Sequence, residues 1–129
     1  MDLYSVMAVR DRTRSVAWFG AFFGRPADEV IGEEYLWQVG ENAWVVVDDR
    51  AVRADHVGGA MITLGVTDLD DILARLAAHG IAHDPVETYG NGVRHVVVLD
   101  PDGNSLSLAE APAEWRARFA DRRHGEPST

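Results

Sequence analysis

Apolar positions in the first half of the chain follow first the period of a strand and then the period of a helix. Residues 3–9 predict a short strand. Residues 16–23 carry apolar side chains at three- and four-residue spacing, which predicts a helix capped by Asp11 or Thr13 and ended by Gly24. Three extended stretches follow, at residues 28–33, 34–39 and 42–48.

The second half of the chain repeats this order of elements. Residues 60–66 predict a strand, and Asp68 begins a helix whose apolar stripe ends at Gly80. The Val-Xaa-Asp tripeptide at residues 9–11 recurs at residues 66–68, which indicates an internal repeat. Further extended stretches lie at residues 81–88, 93–99 and 105–110, and the tight-turn sequence Asp100-Pro101-Asp102-Gly103-Asn104 joins the last two.

This repeat predicts the fold class. The sheet of each module has one face covered by its own helix and one bare face, and a module of under ~60 residues is marginally stable alone. We therefore expect an α+β protein in which two tandem βαβββ modules form a curved mixed sheet around a cleft, plus a short C-terminal helix. The predicted boundaries are a single domain at 1–122, with module one at 1–49, a linker at 50–58, module two at 59–111 and the C-terminal helix at 112–122, and then a flexible tail at 123–129.

Composition and charge exclude several classes of function. The 129 residues include no cysteine, which excludes a disulfide scaffold, cysteine-ligated zinc and a thiol nucleophile. Twelve basic residues, all arginine, stand against 21 acidic ones, and a net charge of −9 repels nucleic acid. The longest apolar run, residues 43–47, is too short to cross a membrane, and the N-terminus lacks the pattern of a signal peptide. We expect a cytoplasmic protein.

Several segments together resemble a known family. In module one they are Val9-Arg10-Asp11, Ser15-Val16-Ala17-Trp18-Phe19 and Phe23-Gly24-Arg25-Pro26; in module two they are Gly65-Val66-Thr67-Asp68-Leu69-Asp70 and the stretch from Arg94 to the turn at 100–104. Over residues 3–110 these segments resemble the vicinal oxygen chelate superfamily of glyoxalases, bleomycin-resistance proteins and extradiol dioxygenases. The resemblance implies a single domain of that type and, in the family's enzymes, one divalent metal ion at the mouth of the cleft.

The positions that match the family's metal ligands carry unsuitable side chains. The resemblance maps the first-strand ligands, usually histidines, onto Tyr4 and Met61, and one last-strand ligand onto Ser107. The remaining ligand falls within residues 45–47, all valine, with Asp48 just outside. Hard and borderline divalent ions prefer imidazole and carboxylate ligands. We therefore expect no metal site and no cofactor.

Strand alternation predicts which side chains face the cleft. In the first strand of module two the aliphatic positions pack on the helix, which leaves Met61 and Thr63 for the cleft, and Ser107 shares that face in the last strand. Tyr4 takes the equivalent side in module one, and the resemblance places His95 in the cleft as a candidate base or hydrogen-bonding group. Trp37 and Trp44 either form flat walls for an aromatic or cationic ligand or lie in the core.

Three functions are compatible with these residues. The first is binding of a small organic molecule, cationic or aromatic, without metal, as in antibiotic resistance by sequestration. The second is an enzyme, lyase, isomerase or dioxygenase, that uses an atypical metal site of His56, His95 and Glu110, or acid-base chemistry by His95 or Tyr4. The third is a dimeric interaction module without a ligand. In each case we expect a homodimer, because the sheets have open edges.

Overall fold

Each module of the chain folds around its own four-stranded mixed sheet. The structure, a computed structural model, describes residues 1–118. Sheet one has the strand order β1-β4-β3-β2 and sheet two the order β5-β8-β7-β6, and in both sheets the first and last strands of the module run parallel. The elements of module one are β1 (Leu3–Ala8), α1 (Arg12–Phe23), β2 (Glu29–Ile31), β3 (Glu34–Gly40) and β4 (Ala43–Asp48). Those of module two are β5 (Met61–Gly65), α2 (Leu69–Ala78), β6 (Glu87–Thr88), β7 (Arg94–Leu99) and β8 (Ser105–Glu110). The predicted α+β class and the tandem βαβββ modules are confirmed.

The two helices begin in different ways. Asp11 caps α1, because its Oδ1 accepts a hydrogen bond from the Arg14 amide at 3.0 Å, and Gly24 ends the helix with a φ of 74°. Asp68 stands at the start of α2, but its side chain makes no capping bond. Glu110, at the end of β8, does so instead: its Oε2 accepts a hydrogen bond from the Leu69 amide at 2.9 Å. The start of α2 is therefore held by the sheet on which it packs.

One hydrophobic core serves both modules. It contains Phe19 and Trp37 from module one and Leu76 and Leu106 from module two, and each of these side chains is fully buried. The helices meet directly, since an Nη2 group of Arg75 on α2 donates to the carbonyl of Phe22 on α1 at 2.7 Å. The modules thus pack through their helix-bearing faces. The opposite face of each sheet, called here the outer face, points away from the shared core.

The turn at residues 100–104 joins module two to module one. The side chain of Asn104 is completely buried, its Nδ2 donates to the Ala8 carbonyl at 3.0 Å, and its Oδ1 accepts from the Ala60 amide at 2.9 Å. Asp102 accepts a hydrogen bond from the Arg10 amide at 3.2 Å. These bonds link the end of β1 to the start of β5, and we call the turn the clasp.

Some elements differ from the prediction. The linker contains a 3-10 helix at Ala51–His56. Of the stretch predicted to be extended at 81–88, only the strand Glu87–Thr88 forms. Residues 113–118 are helical, and the rest of the predicted C-terminal helix, with the tail, lies outside the described residues. No helix within residues 1–118 is long and apolar enough to cross a membrane.

Candidate ligand-binding site

The outer face of sheet two gathers four of the predicted site residues. Thr63 lies opposite Ser107, which in turn lies opposite Val97, so two hydroxyl groups stand side by side on this face. Met61, two residues before Thr63 on β5, lies on the same face and is 82% exposed. Strand alternation thus places these side chains on the face opposite the aliphatic residues that pack on α2.

His95 lies on the same outer face beside two small residues. Its cross-strand neighbour on β8 is Ala109, and Ala109 in turn pairs with Gly65 on β5. A methyl group at Gly65 would meet nothing within 4 Å, so the face is recessed there. The imidazole stacks on the Tyr89 ring, with a centroid distance of 5.8 Å and an interplanar angle of 25°. A polar ring at the end of a shallow trough is suited to hydrogen bonding with a ligand.

The outer face of sheet one carries an exposed aromatic pair. Tyr4 and Trp44 are cross-strand partners, and their rings stack at a centroid distance of 6.5 Å and an interplanar angle of 13°. Tyr4 is 54% exposed and Trp44 is half-buried. The pair offers a flat apolar surface of the kind on which aromatic and cationic groups bind.

Trp37 does not lie on this face, which corrects its placement as a candidate cleft wall. Its side chain is fully buried, its ring packs against Phe19, and its Nε1 donates to the Arg25 carbonyl at 3.0 Å. The cause is the register of the hairpin: Trp37 pairs with the core residue Val45, whereas Trp44 pairs with Gln38 on the outer face. Trp37 is therefore inaccessible to a ligand on either outer face.

A buried carboxylate at the end of β4, that of Asp48, was missed by the sequence analysis. Its side chain is fully buried and forms a bidentate pair with Arg50, at 3.0 Å from Nε to Oδ1 and 2.8 Å from Nη2 to Oδ2. Arg53 donates from its Nε to the same carboxylate at 3.3 Å. The hydrogen bonds from Arg50 are the main cause of a lowered pKa of Asp48. The sequence signal was two arginines shortly after an aspartate at a strand end.

The residues at the family's metal-ligand positions do not fit a divalent ion. Tyr4 lies on one outer face, and Met61 and Ser107 lie on the other. The register also identifies the fourth position. Ser107 lies two residues after the β8 residue that pairs with Met61, and Val46 lies two residues after the β4 residue that pairs with Tyr4. Val46 is therefore the equivalent of Ser107 in module one. A phenol, a thioether, a hydroxyl and an aliphatic chain do not form a binding site for Mg²⁺, Mn²⁺, Fe²⁺ or Zn²⁺.

The alternative metal site of His56, His95 and Glu110 does not form either. Glu110 lies on the helix-bearing side of sheet two, where its Oε1 accepts from an Nη2 group of Arg94 at 2.7 Å, and this hydrogen bond is the main cause of a lowered pKa of Glu110. His95 lies on the other side of the sheet. Within residues 1–118, no three His, Asp or Glu side chains stand close enough to hold a metal ion.

A groove of about 570 Å³ lies between the modules, on the helix-bearing sides of the sheets. Trp44 and Thr63 border it, together with apolar residues of α1 and β5. Apart from the buried Trp37, the other candidate residues lie away from it on the outer faces. The accessible site residues therefore occupy two separate surfaces of one chain.

A family model described as the glyoxalase/bleomycin resistance protein/dioxygenase superfamily matches residues 3–108. The chain belongs to this superfamily. A solved glyoxalase/bleomycin resistance protein from Catenulispora acidiphila is 35% identical to it, over 87% of this chain and 99% of that one, with a TM-score of 0.78. No protein with a curated description matches the sequence significantly.

More distant solved structures share the fold. A lactoylglutathione lyase from Agrobacterium tumefaciens is 19% identical, over 85% of this chain and 92% of that one, with a TM-score of 0.68. The oxidase ChaP-H1 is 22% identical, over 87% of this chain and 96% of that one, with a TM-score of 0.66. One fold thus supports different chemistries, and the activity must be argued from the site.

Proposed function

We propose that this superfamily member binds a small organic molecule with aromatic or cationic character, without a metal ion, in the manner of a resistance or sequestration protein. The observation that carries the proposal is the donor set at the metal-ligand positions, which are Tyr4, Val46, Met61 and Ser107. The aromatic and hydroxyl groups that remain on the outer faces are typical of small-molecule sites, and the single His95 imidazole does not make a metal centre by itself.

The ligand cleft in this proposal is shared by two copies of the chain. The outer faces of one chain point away from their common core, so they do not face each other. Both carry exposed apolar side chains that a partner would cover: Tyr4 on sheet one is 54% exposed, and on sheet two Met61 is 82% and Leu99 55% exposed. The edge strands β1 and β5 also have one unpaired side each. In a homodimer, sheet one of one copy faces sheet two of the other.

Each candidate residue then has a definite task. The Tyr4–Trp44 pair stacks on a ring of the ligand, and the Thr63 and Ser107 hydroxyls with the His95 imidazole orient its polar groups. The net charge of −9 favours the approach of cations at long range.

A second candidate function is metal-free acid-base catalysis. The observation in its favour is that the His95 ring is stacked on Tyr89 at an open, recessed part of the outer face. A positioned imidazole supports proton transfer near neutral pH. In this function His95→Gln abolishes turnover of a substrate while binding persists; in the first function binding alone is affected.

The test begins with purified protein without a tag. Elemental analysis and titration with Mn²⁺, Fe²⁺, Ni²⁺ and Zn²⁺ should show less than about a tenth of an equivalent bound, because the donor set is poor. A thermal-shift screen of aromatic and cationic compounds should then find binders. Thr63→Val should weaken them, and Thr88→Val, the same change on the strand β6 at a position opposite Arg94, should not. Saturable stoichiometric metal uptake, or a screen without any binder, would contradict the proposal.

Sedimentation tests the shared cleft. Met61→Glu should convert a dimer to monomers, because it buries a charge at the interface. Val52→Glu introduces the same charge at a residue that is 77% exposed on the linker helix and should leave the dimer intact. A wild-type monomer at micromolar concentration would exclude a cleft of this kind.

A further inference from the structure

The linker helix places two nitrogen-bearing side chains over the outer face of sheet one. Arg53 and His56 both line a depression of about 340 Å³ whose floor is formed by Val6 and Ala8. These floor residues lie on the same face of β1 as Tyr4, because strand residues two apart share a face. The depression therefore continues the surface that carries the Tyr4–Trp44 pair.

The geometry of the linker helix explains why these two side chains point the same way. In a 3-10 helix, side chains three residues apart are eclipsed, so Arg53 and His56 share one side of Ala51–His56. Val52 and Asp55 share another side, and Val52 is 77% exposed, which marks that side as facing solvent. Asp55 also lines the depression, so one acidic residue stands beside the two basic ones. Arg53 is the more buried of the three, which places the Arg53–His56 side of the helix against the sheet.

The Arg53 guanidinium is held in place before any ligand arrives. Its Nε donates to the buried Asp48 carboxylate at 3.3 Å, and that carboxylate is itself fixed by the bidentate pair with Arg50. Within residues 1–118 the two terminal nitrogens of Arg53 have no hydrogen-bond partner. Those nitrogens are the planar fork that recognises carboxylate and phosphate, and prior fixing lowers the entropy lost on binding.

We propose that Arg53 and His56 form an anion subsite, and that the molecule bound by this protein is an aromatic compound with a carboxylate or phosphate group at one end. The inference rests on the proposed small-molecule function and deepens it. The aromatic ring lies on the Tyr4–Trp44 pair and the anionic group in the depression. Strand geometry puts the floor residues Val6 and Ala8 about 7 and 13 Å from Tyr4, which sets the span of the ligand.

Local and global charge act in opposite directions here. The net charge of −9 repels an anion at long range, but this repulsion is screened beyond about 8–10 Å at ordinary salt. Contact with a guanidinium is short-ranged and strong, since charge-assisted hydrogen bonds are roughly twice as strong as neutral ones. The contact therefore decides which end of an aromatic molecule enters the depression.

A matched pair of probes tests the inference. We would titrate the full chain with 4-phenylbutanoate and with 4-phenylbutylamine, which differ in the charged group, and follow the backbone amides and the Trp44 indole by NMR. The carboxylate should bind at least about fivefold more tightly, because it gains a charge-assisted contact. Arg53→Gln and His56→Gln should each remove most of that preference. Arg10→Gln makes the same charge change at an exposed arginine without an ion pair among residues 1–118, and it should retain the preference.

The outcomes separate the subsite from the proposed function. Equal or tighter binding of the amine, or a preference unchanged by both substitutions, would overturn the anion subsite and leave small-molecule binding intact. If neither probe perturbs Trp44 or residues 51–56, the subsite is likewise refuted, and the thermal-shift screen then decides the proposed function separately. His56→Gln guards against misfolding, since it leaves the Arg53–Asp48 contact in place.

Discussion

Removal of the Asn104 side chain should show how much of the stability depends on the clasp. In Asn104→Ala three side-chain hydrogen bonds are lost: to the Ala8 carbonyl at 3.0 Å, to Asp100 Oδ2 at 2.8 Å and from the Ala60 amide at 2.9 Å. The side chain is fully buried, so water does not replace these partners. Each unpaired buried group costs about 1–3 kcal/mol, and we expect a loss of about 3–5 kcal/mol in the free energy of unfolding.

The magnitude is large because a domain of this size has about 5–15 kcal/mol of stability in total. Urea unfolding followed by tryptophan fluorescence measures it at pH 7. Asn91→Ala is the control: its Oδ1 accepts a single bond from the Val93 amide at 3.1 Å in an exposed loop, and it should cost under about 1 kcal/mol. Asn104→Asp keeps an acceptor for Ala60 but loses the donor to Ala8, and should be at least as destabilising as the alanine variant. A loss below about 1 kcal/mol in Asn104→Ala would refute the reasoning.

Other predictions concern three further groups. The lowered pKa of Asp48 means that its ion pairs stabilise the fold at neutral pH, and that this contribution is lost as the pH falls below the usual aspartate value near 3.8. Asp48→Asn should flatten that part of the pH–stability curve. Thermal unfolding between pH 7 and 3 measures the effect. Trp37→Phe should cost about 1–3 kcal/mol, because it removes part of a fully buried ring and its hydrogen bond to the Arg25 carbonyl. Trp44→Phe should cost less than about 1 kcal/mol. Urea unfolding compares the two variants, and an equal effect would contradict the placement of Trp37 in the core. Glu110→Gln should destabilise the protein by about 1–2 kcal/mol, because the carboxylate that pairs with Arg94 and caps α2 loses its charge. Asp68→Ala should cost less. The reverse order in differential scanning calorimetry would show that Asp68, rather than Glu110, caps α2.

The fold and most of the outer faces could be predicted from sequence because the relevant signals are local. Alternation within a single strand places Met61 and Thr63 on one side and their aliphatic neighbours on the other, and no knowledge of other strands is needed. The position of Ser107 followed from its short distance to the clasp. The same reasoning failed to place Trp37 relative to Trp44, because β3 and β4 are joined by a hairpin with an irregular register between Gln38 and Gly40.

The burial of Asp48 and the 3-10 helix in the linker depend on packing between segments of the chain, which a local sequence pattern does not show. From sequence alone, an aspartate at a strand end followed by arginines predicts an exposed, charged segment. It becomes a buried ion pair because the linker helix packs against β1 and so brings Arg53 back to the Asp48 carboxylate. The cap of α2 by Glu110 was unpredictable for the same reason, since the two are 41 positions apart.

The clasp also has a consequence for how the chain is made on the ribosome. Asn104 donates a hydrogen bond to the carbonyl of Ala8, 96 positions earlier in the chain. The bonds that link β1 to the start of β5 therefore cannot form until Asn104 has left the exit tunnel. Until then, the apolar side of α1, with Phe19 and Phe22, lacks the second half of its core. We therefore expect the nascent first module to expose this apolar side until module two has been synthesised, and to be open to chaperones during that interval.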